Sequence, residues 1–314
     1  NATKSVATNA TLTVNFSGPV SASAPAPKLS PAVAGSWSTQ GSSMTFTPAA
    51  GWMPWGTETV TVPASAAVTK AAAATFHVQA GSQTRLEQIL AGLHYLPFTF
   101  EPAAPLPSQV NTAAAPTSDA VSATAQPGTL KWSWSTVPAT LRALWKPGRA
   151  NVMDQGAVMA FQSDHHMTMD GIAGPQVWAA LLKAANAHQA DPHPYDYLVA
   201  SKSVPETLKV YREGQVIYST LSNTGVPGAD TQAGTFPVYE RFASTTMSGT
   251  NVDGSKYVDH GIPWVAYFNG GDAVHGFVRP SYGHPQSNGC VELPISNAEK
   301  VWAMDPYGTL VTVT

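Results

Sequence analysis

Residues 275–277 read His275-Gly276-Phe277, and residues 287–294 read Ser287-Asn288-Gly289-Cys290-Val291-Glu292-Leu293-Pro294. Cys290 is the single cysteine of the 314-residue chain, which excludes a disulfide framework and a cysteine-based zinc cluster. A solitary thiol is either an inert buried side chain or a reagent, and its neighbours decide which. Acyl transfer by a thiol needs a base near the sulfur. It also needs N–H donors for the oxygen that turns negative in the tetrahedral intermediate. Gly289 permits a tight turn directly before the thiol, because glycine takes φ values closed to other residues. Ser287 and Asn288 are polar and turn-compatible. His275, fifteen positions upstream of Cys290, is placed to return from a neighbouring strand as the base.

Working outward, the last third of the chain reads as strands. Tyr197-Leu198-Val199, residues 208–211 and residues 216–218 are strand-like, the last two joined by the turn Arg212-Glu213-Gly214-Gln215. Further β-like runs cover 236–239, 264–268 and 309–313. One helix is expected over 296–304, with Ser296 as N-cap and Glu299 three residues on. A mostly β domain with few helices follows.

This region resembles the L,D-transpeptidase catalytic domain, also called the YkuD-type domain. That family's signature is a His-Gly pair, a loop, then Ser/Thr-His-Gly-Cys and an apolar residue. His275-Gly276 matches the first element, and Ser287, Gly289, Cys290 and Val291 match the second. Thr224-Gly225, Gly234-Thr235-Phe236 and Asn269-Gly270-Gly271 resemble the family's glycine-bearing strand starts. Asn288 stands where the family usually has a second histidine, and Glu292 where Asn or Arg is more common.

The resemblance implies an acyltransferase that cross-links peptidoglycan stem peptides in cell wall biogenesis. Cys290 attacks a peptide carbonyl and holds the acyl group as a thioester, and His275 takes the thiol proton. Ser287 orients the imidazole or the loop, and the backbone N–H groups of Asn288, Gly289 and Cys290 are oxyanion-hole candidates. His284 is a second-choice base. Tyr257, Tyr267 and Trp264 are candidates to line the acyl-donor groove. Carbapenem-type β-lactams are expected to acylate Cys290, and no cofactor or metal is implied. Two alternatives stay open: a non-catalytic wall-binding or scaffold protein with a decayed transpeptidase domain, and an L,D-carboxypeptidase that gives the thioester to water.

Upstream, residues 129–190 read as helices. Pro138 suits the first turn of a helix carrying Leu141, Leu144 and Trp145. Asp154 is a candidate cap for a second, whose inner face uses Val158 and Phe161, and a third begins at Pro175. Gly156-x-Val158-x-x-Phe161-Gln162, then Asp170-Gly171-x-x-Gly174-Pro175-x-x-Trp178, resembles the small three-helix peptidoglycan-binding domain. That likeness implies contact with glycan strands.

Residues 2–80 read as short alternating strands, at 12–16, 44–46, 57–62 and 75–78, with turn residues between them. They suggest a small β-sandwich that resembles bacterial immunoglobulin-like modules, with Trp37, Phe46 and Trp52 as core aromatics. Helical spacing covers 86–100, and residues 101–128, rich in Ala, Pro, Ser and Thr, read as a linker or mobile loop. The expected organisation is therefore multidomain and mainly β. An immunoglobulin-like sandwich spans 1–80, a helical peptidoglycan-binding-like module with a low-complexity loop 81–190, and a β-rich catalytic domain 191–314.

Charged residues reach only 11% and the net charge is −3. No Lys/Arg cluster exists, which argues against nucleic acid and anionic membrane surfaces as partners. The His and Asp groups at 164–166 and 188–193 lack a helical His pair with a third ligand, so polar loops explain them better than a metal. The first residues are not a signal peptide. An extracytoplasmic, secreted protein in the cell wall or periplasmic space, with its leader removed, is expected.

Overall fold

The computed structural model of the chain describes residues 5–64, 71–103 and 121–314. The fold is mainly β and divides into two compact units. One comprises Asn1–Ile89, Phe100–Thr129 and Ala173–Gln189, and the other Leu90–Thr99, Leu130–Ile172 and Ala190–Thr314.

In the first unit β1 (Ser5–Val6), β2 (Leu12–Asn15), β3 (Lys28–Ser30), β4 (Gly35–Gln40), β5 (Ser43–Pro48), β6 (Thr57–Val62) and β7 (Ala72–Val78) form two sheets. Their orders are β1-β7-β6-β3 and β2-β5-β4. Alternation puts Leu12 opposite Phe46 in the β2–β5 ladder. The core between the sheets gathers Phe46, Trp52 and Val78, with Leu12, Leu29, Trp37 and Phe76 against them. Phe46 lies 5.2 Å from Trp37 and 5.6 Å from Trp52, ring to ring. The Trp52 indole N–H donates to the Ala10 carbonyl at 2.6 Å, which satisfies its one polar atom inside the core. Periodicity misses β1, β3 and β4, because β1 and β3 are too short to establish a period and β4 is exposed at all but Trp37.

Helix α1 (Gln83–Gly92) stops short of the helical run expected to residue 100. Beyond it, β8 (Phe98–Pro102) pairs with β9 (Gly128–Trp132). Most of the low-complexity stretch, 104–120, lies outside the described residues. Its end is held, since Ser122 O accepts from Arg85 Nε and Gln126 O from Gln88 Nε2, both at 2.8 Å.

Three helices follow: α2 (Ala139–Leu144), α3 (Val152–Asp164) and α4 (Pro175–Asn186). Pro138 sits at the N-cap of α2 rather than inside its first turn, whereas Pro175 opens α4. The cap of α3 is Asn151, not Asp154. Asn151 Oδ1 accepts the N–H groups of Met153 and Asp154, and Asp154 Oδ2 accepts the Asn151 N–H at 3.1 Å. Asp154 is the third-position acid of a capping box, a place where sequence alone does not distinguish cap from partner. Gln162, near the end of α3, reads the following turn: it donates to Asp170 Oδ1 at 2.7 Å and accepts the Gly171 N–H at 2.9 Å.

The second unit's sheets are built from β10 (Asp196–Ser201), β11 (Thr207–Arg212), β12 (Gln215–Leu221), β13 (Gly234–Pro237), β14 (Glu240–Thr250), β15 (Lys256–Asn269), β16 (Asp272–Gly276), β17 (Val291–Leu293) and β18 (Leu310–Val313). The orders are β12-β11-β10-β18-β13 and β14-β15-β16-β17. One core joins them: Leu198, Leu208 and Val311 from the first sheet meet Phe268, Val274 and Leu293 from the second. Helix α5 (Ile295–Trp302) closes this core with Ala298 and Val301. Pro294, not Ser296, is its N-cap, and no side chain caps it.

The long β14–β15 hairpin is the main element the sequence under-reads. Only 264–268 of β15 look strand-like, because β14 is rich in Ser and Thr, the first half of β15 mixes polar and charged residues, and both are largely exposed. Cross-strand pairing from Glu240↔Tyr267 out to Thr250↔Lys256 holds them instead of an apolar face. Among the described residues no helix is long and apolar enough to cross a membrane.

Candidate active site

β16 and β17 run parallel, with Val274 opposite Val291 and His275 opposite Glu292. Parallel neighbours need a crossover of a dozen or so residues, and residues 277–290 supply it. The spacing of fifteen between His275 and Cys290 is thus the length of a crossover. Side chains alternate along a strand, at about 3.3 Å per residue. Val274 and Val291 point into the core, so His275 and Glu292 face the other way, and Cys290, one step before Val291, shares their face. Cys290 accordingly packs against Ile262, Val265 and Ala273, a cluster that also touches Met247, Tyr267 and Phe277.

The loop before Cys290 is braced by Ser287, which is buried. Its hydroxyl donates to the Cys290 carbonyl at 2.6 Å and accepts the Gly289 N–H at 3.2 Å. Its own N–H donates to Thr224 O, and its carbonyl accepts from Val226 N. Thr224 in turn donates its N–H and hydroxyl to the two oxygens of buried Glu206, at 2.6 and 2.7 Å. Gly289 adopts φ +115°, which favours glycine, and a Cβ there would fall 2.4 Å from Asp272 Oδ1 and displace that carboxylate. Asn288 is exposed and donates to Asn251 Oδ1 at 2.7 Å, which ties the loop to the tip of the β14–β15 hairpin.

His275 is buried, and its Nδ1 lies 3.1 Å from the Gly276 carbonyl. A carbonyl only accepts, so Nδ1 carries the proton of the neutral ring and Nε2 keeps a lone pair. Burial pulls the imidazole below its ordinary value, while Glu292 pushes it up and Arg279 pulls it down. The Cys290 thiol is pushed up to about 12 by burial, with Asp272 and Glu292 adding to the rise and a hydrogen bond from the Ala273 backbone opposing it. Its Sγ–H points to Gly271 O, 3.6 Å away. The resting pair is therefore a neutral thiol and a neutral imidazole. No hydrogen bond joins them among the described residues, and such contacts commonly tighten only when substrate arrives.

Glu292, buried beside His275, is held in a fork by Arg279: Nε to Oε2 and Nη2 to Oε1, both 2.7 Å. Arg279 also donates to Gln286 O at 3.2 Å and lies 4.6 Å over the Phe277 ring. Among the remaining sequence candidates, Tyr267 touches the Cys290 cluster, and the acidity of both Tyr267 and Tyr257 is lowered chiefly by burial and then by the neighbouring Cys290. Trp264 goes elsewhere: it packs on the main core and against Trp302 at 5.4 Å. His284 follows Gly283, whose backbone bonds Ser222 and Glu206. No group of His, Cys, Asp and Glu suited to a metal occurs among the described residues.

Sequence reading missed Asp272, Asn251, Arg279 and Glu206. The first and third carried a faint signal, as charges three before and four after His275. Asn251 and Glu206 gave none, because their contacts span 37 and 18 positions.

Residues 195–313 match the model of the L,D-transpeptidase catalytic domain, and residues 155–181 that of a peptidoglycan-binding domain. Cys290 and His275 both lie inside the first of these matches. Among solved structures, the catalytic domain of the Enterococcus faecium L,D-transpeptidase is 26% identical, covering 39% of this chain and 99% of that one, with a TM-score of 0.35. An L,D-transpeptidase from Mycobacterium smegmatis is 14% identical over 100% of this chain and 95% of that one, at 0.34. L,D-transpeptidase 3 from Mycobacterium tuberculosis, solved with a faropenem-derived adduct, is 14% identical over the same shares, at 0.35. No curated protein matches the chain.

Proposed function

We propose that this chain is a cysteine-dependent L,D-transpeptidase that cross-links peptidoglycan stem peptides through a thioester on Cys290. The observation that carries the proposal is the register of β16 and β17, which sets Cys290 and His275 on one face beside a loop braced by Ser287. Sγ attacks the carbonyl carbon after the third stem residue as its proton passes to His275 Nε2. The tetrahedral intermediate collapses, the C–N bond breaks, and His275 returns the proton to the departing D-residue. A neutral amine of a second stem then attacks the thioester, forming a C–N bond as the C–S bond breaks, and its proton passes to the leaving sulfur, which regenerates the thiol. Because the thiol rests neutral, its proton leaves during attack, not before. The N–H groups of Asn288 and Cys290 are the oxyanion donors; that of Gly289 is committed to Ser287 Oγ.

The helical match at 155–181 supports contact with glycan strands, and both family matches support action outside the cytoplasm, in the wall. We assign 1–80, 81–190 and 191–314 to sandwich, helical module and catalytic domain.

Intact-mass analysis after incubation with a carbapenem tests the proposal. Wild type is expected to gain the mass of one drug molecule, Cys290→Ala none, and His275→Ala far more slowly. A wild-type chain that stays unmodified sinks the proposal and leaves a non-catalytic wall-binding role. If donor and acceptor stems together yield only hydrolysed donor, the enzyme is a carboxypeptidase.

A further inference from the structure

We infer that Asp272 is the acceptor-specificity residue, a carboxylate beside Cys290 that receives the ammonium group of the incoming amine. The inference rests on the acyl-enzyme reading above. Asp272 opens β16, and its Oδ1 lies against the backbone of Gly289, the residue before the nucleophile. The side chain is only partly buried, so a ligand reaches it. Burial raises its carboxyl, and the Gln232 backbone N–H and the Asn269 amide oppose that rise; Asn269 Nδ2 itself donates to Gln232 Oε1 at 3.0 Å.

The charge has no cationic partner among the described residues, whereas Glu292, on the other side of Cys290, is forked by Arg279. An uncompensated carboxylate beside a nucleophilic thiol works against it, and Asp272 does raise the thiol. Such an arrangement is costly for acylation and useful for the second step, in which a cation must arrive. Tyr239, whose hydroxyl is raised by burial and then by Glu240 and Asp272, stands near it, with the Tyr267 ring 6.3 Å from its own. Aromatic faces next to a carboxylate suit an alkylammonium.

In the transfer step the ammonium docks on Asp272 and gives one proton to His275. The neutral amine attacks the thioester carbonyl, the C–N bond forms and the C–S bond breaks. The leaving sulfur takes the second amine proton, which regenerates the thiol, and His275 releases the first to solvent, which restores the neutral imidazole.

The test is the partition of the acyl-enzyme among three nucleophiles at pH 7.5: an alkylamine, which is cationic there, hydroxylamine, which is neutral, and water. In Asp272→Asn, transfer to the alkylamine is expected to fall at least about tenfold relative to hydroxylamine and water, the value of a charge-assisted contact. Carbapenem acylation of the same variant is expected to be no slower than in wild type, because a charge that raised the thiol is gone. Equal loss toward both amines overturns the inference. Asp272→Glu, which keeps the charge, is expected to restore the alkylamine preference; failure to restore it where the carbapenem adduct still forms also overturns it. A wild-type chain that forms no acyl-enzyme at all overturns the parent reading and this one with it.

Discussion

Two regions of the second unit bury a carboxylate under an arginine and reach different ends. Beside the nucleophile, Glu292 meets Arg279 in a two-pronged fork with both distances at 2.7 Å, and Arg279 is pushed above its ordinary value chiefly by that contact. Past the end of α5, Asp305 meets Arg241 through a single 3.3 Å contact, and burial drives its carboxyl up to about 8 against the arginine's pull. Arg241 is also bonded to the Trp302 carbonyl and lies 4.0 Å over the Trp302 ring. Its Nε and the Trp302 Nε1 are buried without partners among the described residues. Two aligned hydrogen bonds offset the desolvation of a carboxylate, and one long contact does not. The fork stands at the reacting groups, where a fixed charge matters to His275.

The most severe way to break the contrast is Arg279→Met, which strands Glu292 as an unpaired buried charge. A loss of about 3–5 kcal/mol is expected in urea unfolding. Arg279 also holds His275 down, so its removal lets the imidazole keep its proton to higher pH. The acid limb of carbapenem acylation lies below pH 6.5 in wild type by this reasoning, and it should move upward in any Arg279→Met protein that remains folded.

Arg241→Met should cost less, about 1–3 kcal/mol, because Asp305 can escape by holding a proton. Equal losses from the two variants would show that the fork confers no advantage.

A pH series sharpens the difference further. The folded state binds the Asp305 proton more tightly than the unfolded chain, whose value is near 3.8. This contribution is complete below pH 4 and is lost as pH rises toward 8. Melting temperature is therefore expected to decline across that window in wild type and to decline less in Asp305→Asn. Parallel curves would contradict the assignment.

The smallest expected effect is that of Ser287→Ala, in which two backbone groups lose a neutral partner and no charge is exposed. About 1 kcal/mol of stability should go. Acylation should slow by more than that loss implies, as the Gly289–Cys290 turn loosens.

The fold was partly legible. Strands β10, β11, β12 and β18 declare themselves because each carries apolar residues into a shared core. β14 does not, since its pairing partner, not an apolar face, makes it a strand. The cap of α3 was misread by three residues because both members of a capping box are good cap residues. At the site, Cys290, His275, Ser287 and Gly289 could be singled out because each residue type is unusual or specific in its local chemistry. Trp264 could not be sorted from Tyr257 and Tyr267, since an aromatic beside an active site and one in a core look alike until the sheet gives each a face.

By itself the sequence determined the reagents: one thiol, one histidine a crossover's length upstream, a glycine that alone fits φ +115°, and a serine short enough to brace the turn. Local chemistry and local backbone limits suffice for these. The tertiary structure alone decided how they are charged. That Arg279 reaches Glu292, that Asn251 reaches Asn288, and that Asp272 stands against Gly289 with no cationic partner among the described residues are outcomes of strand register and loop closure. Electrostatic energy depends on distance and burial, and neither is written along the chain.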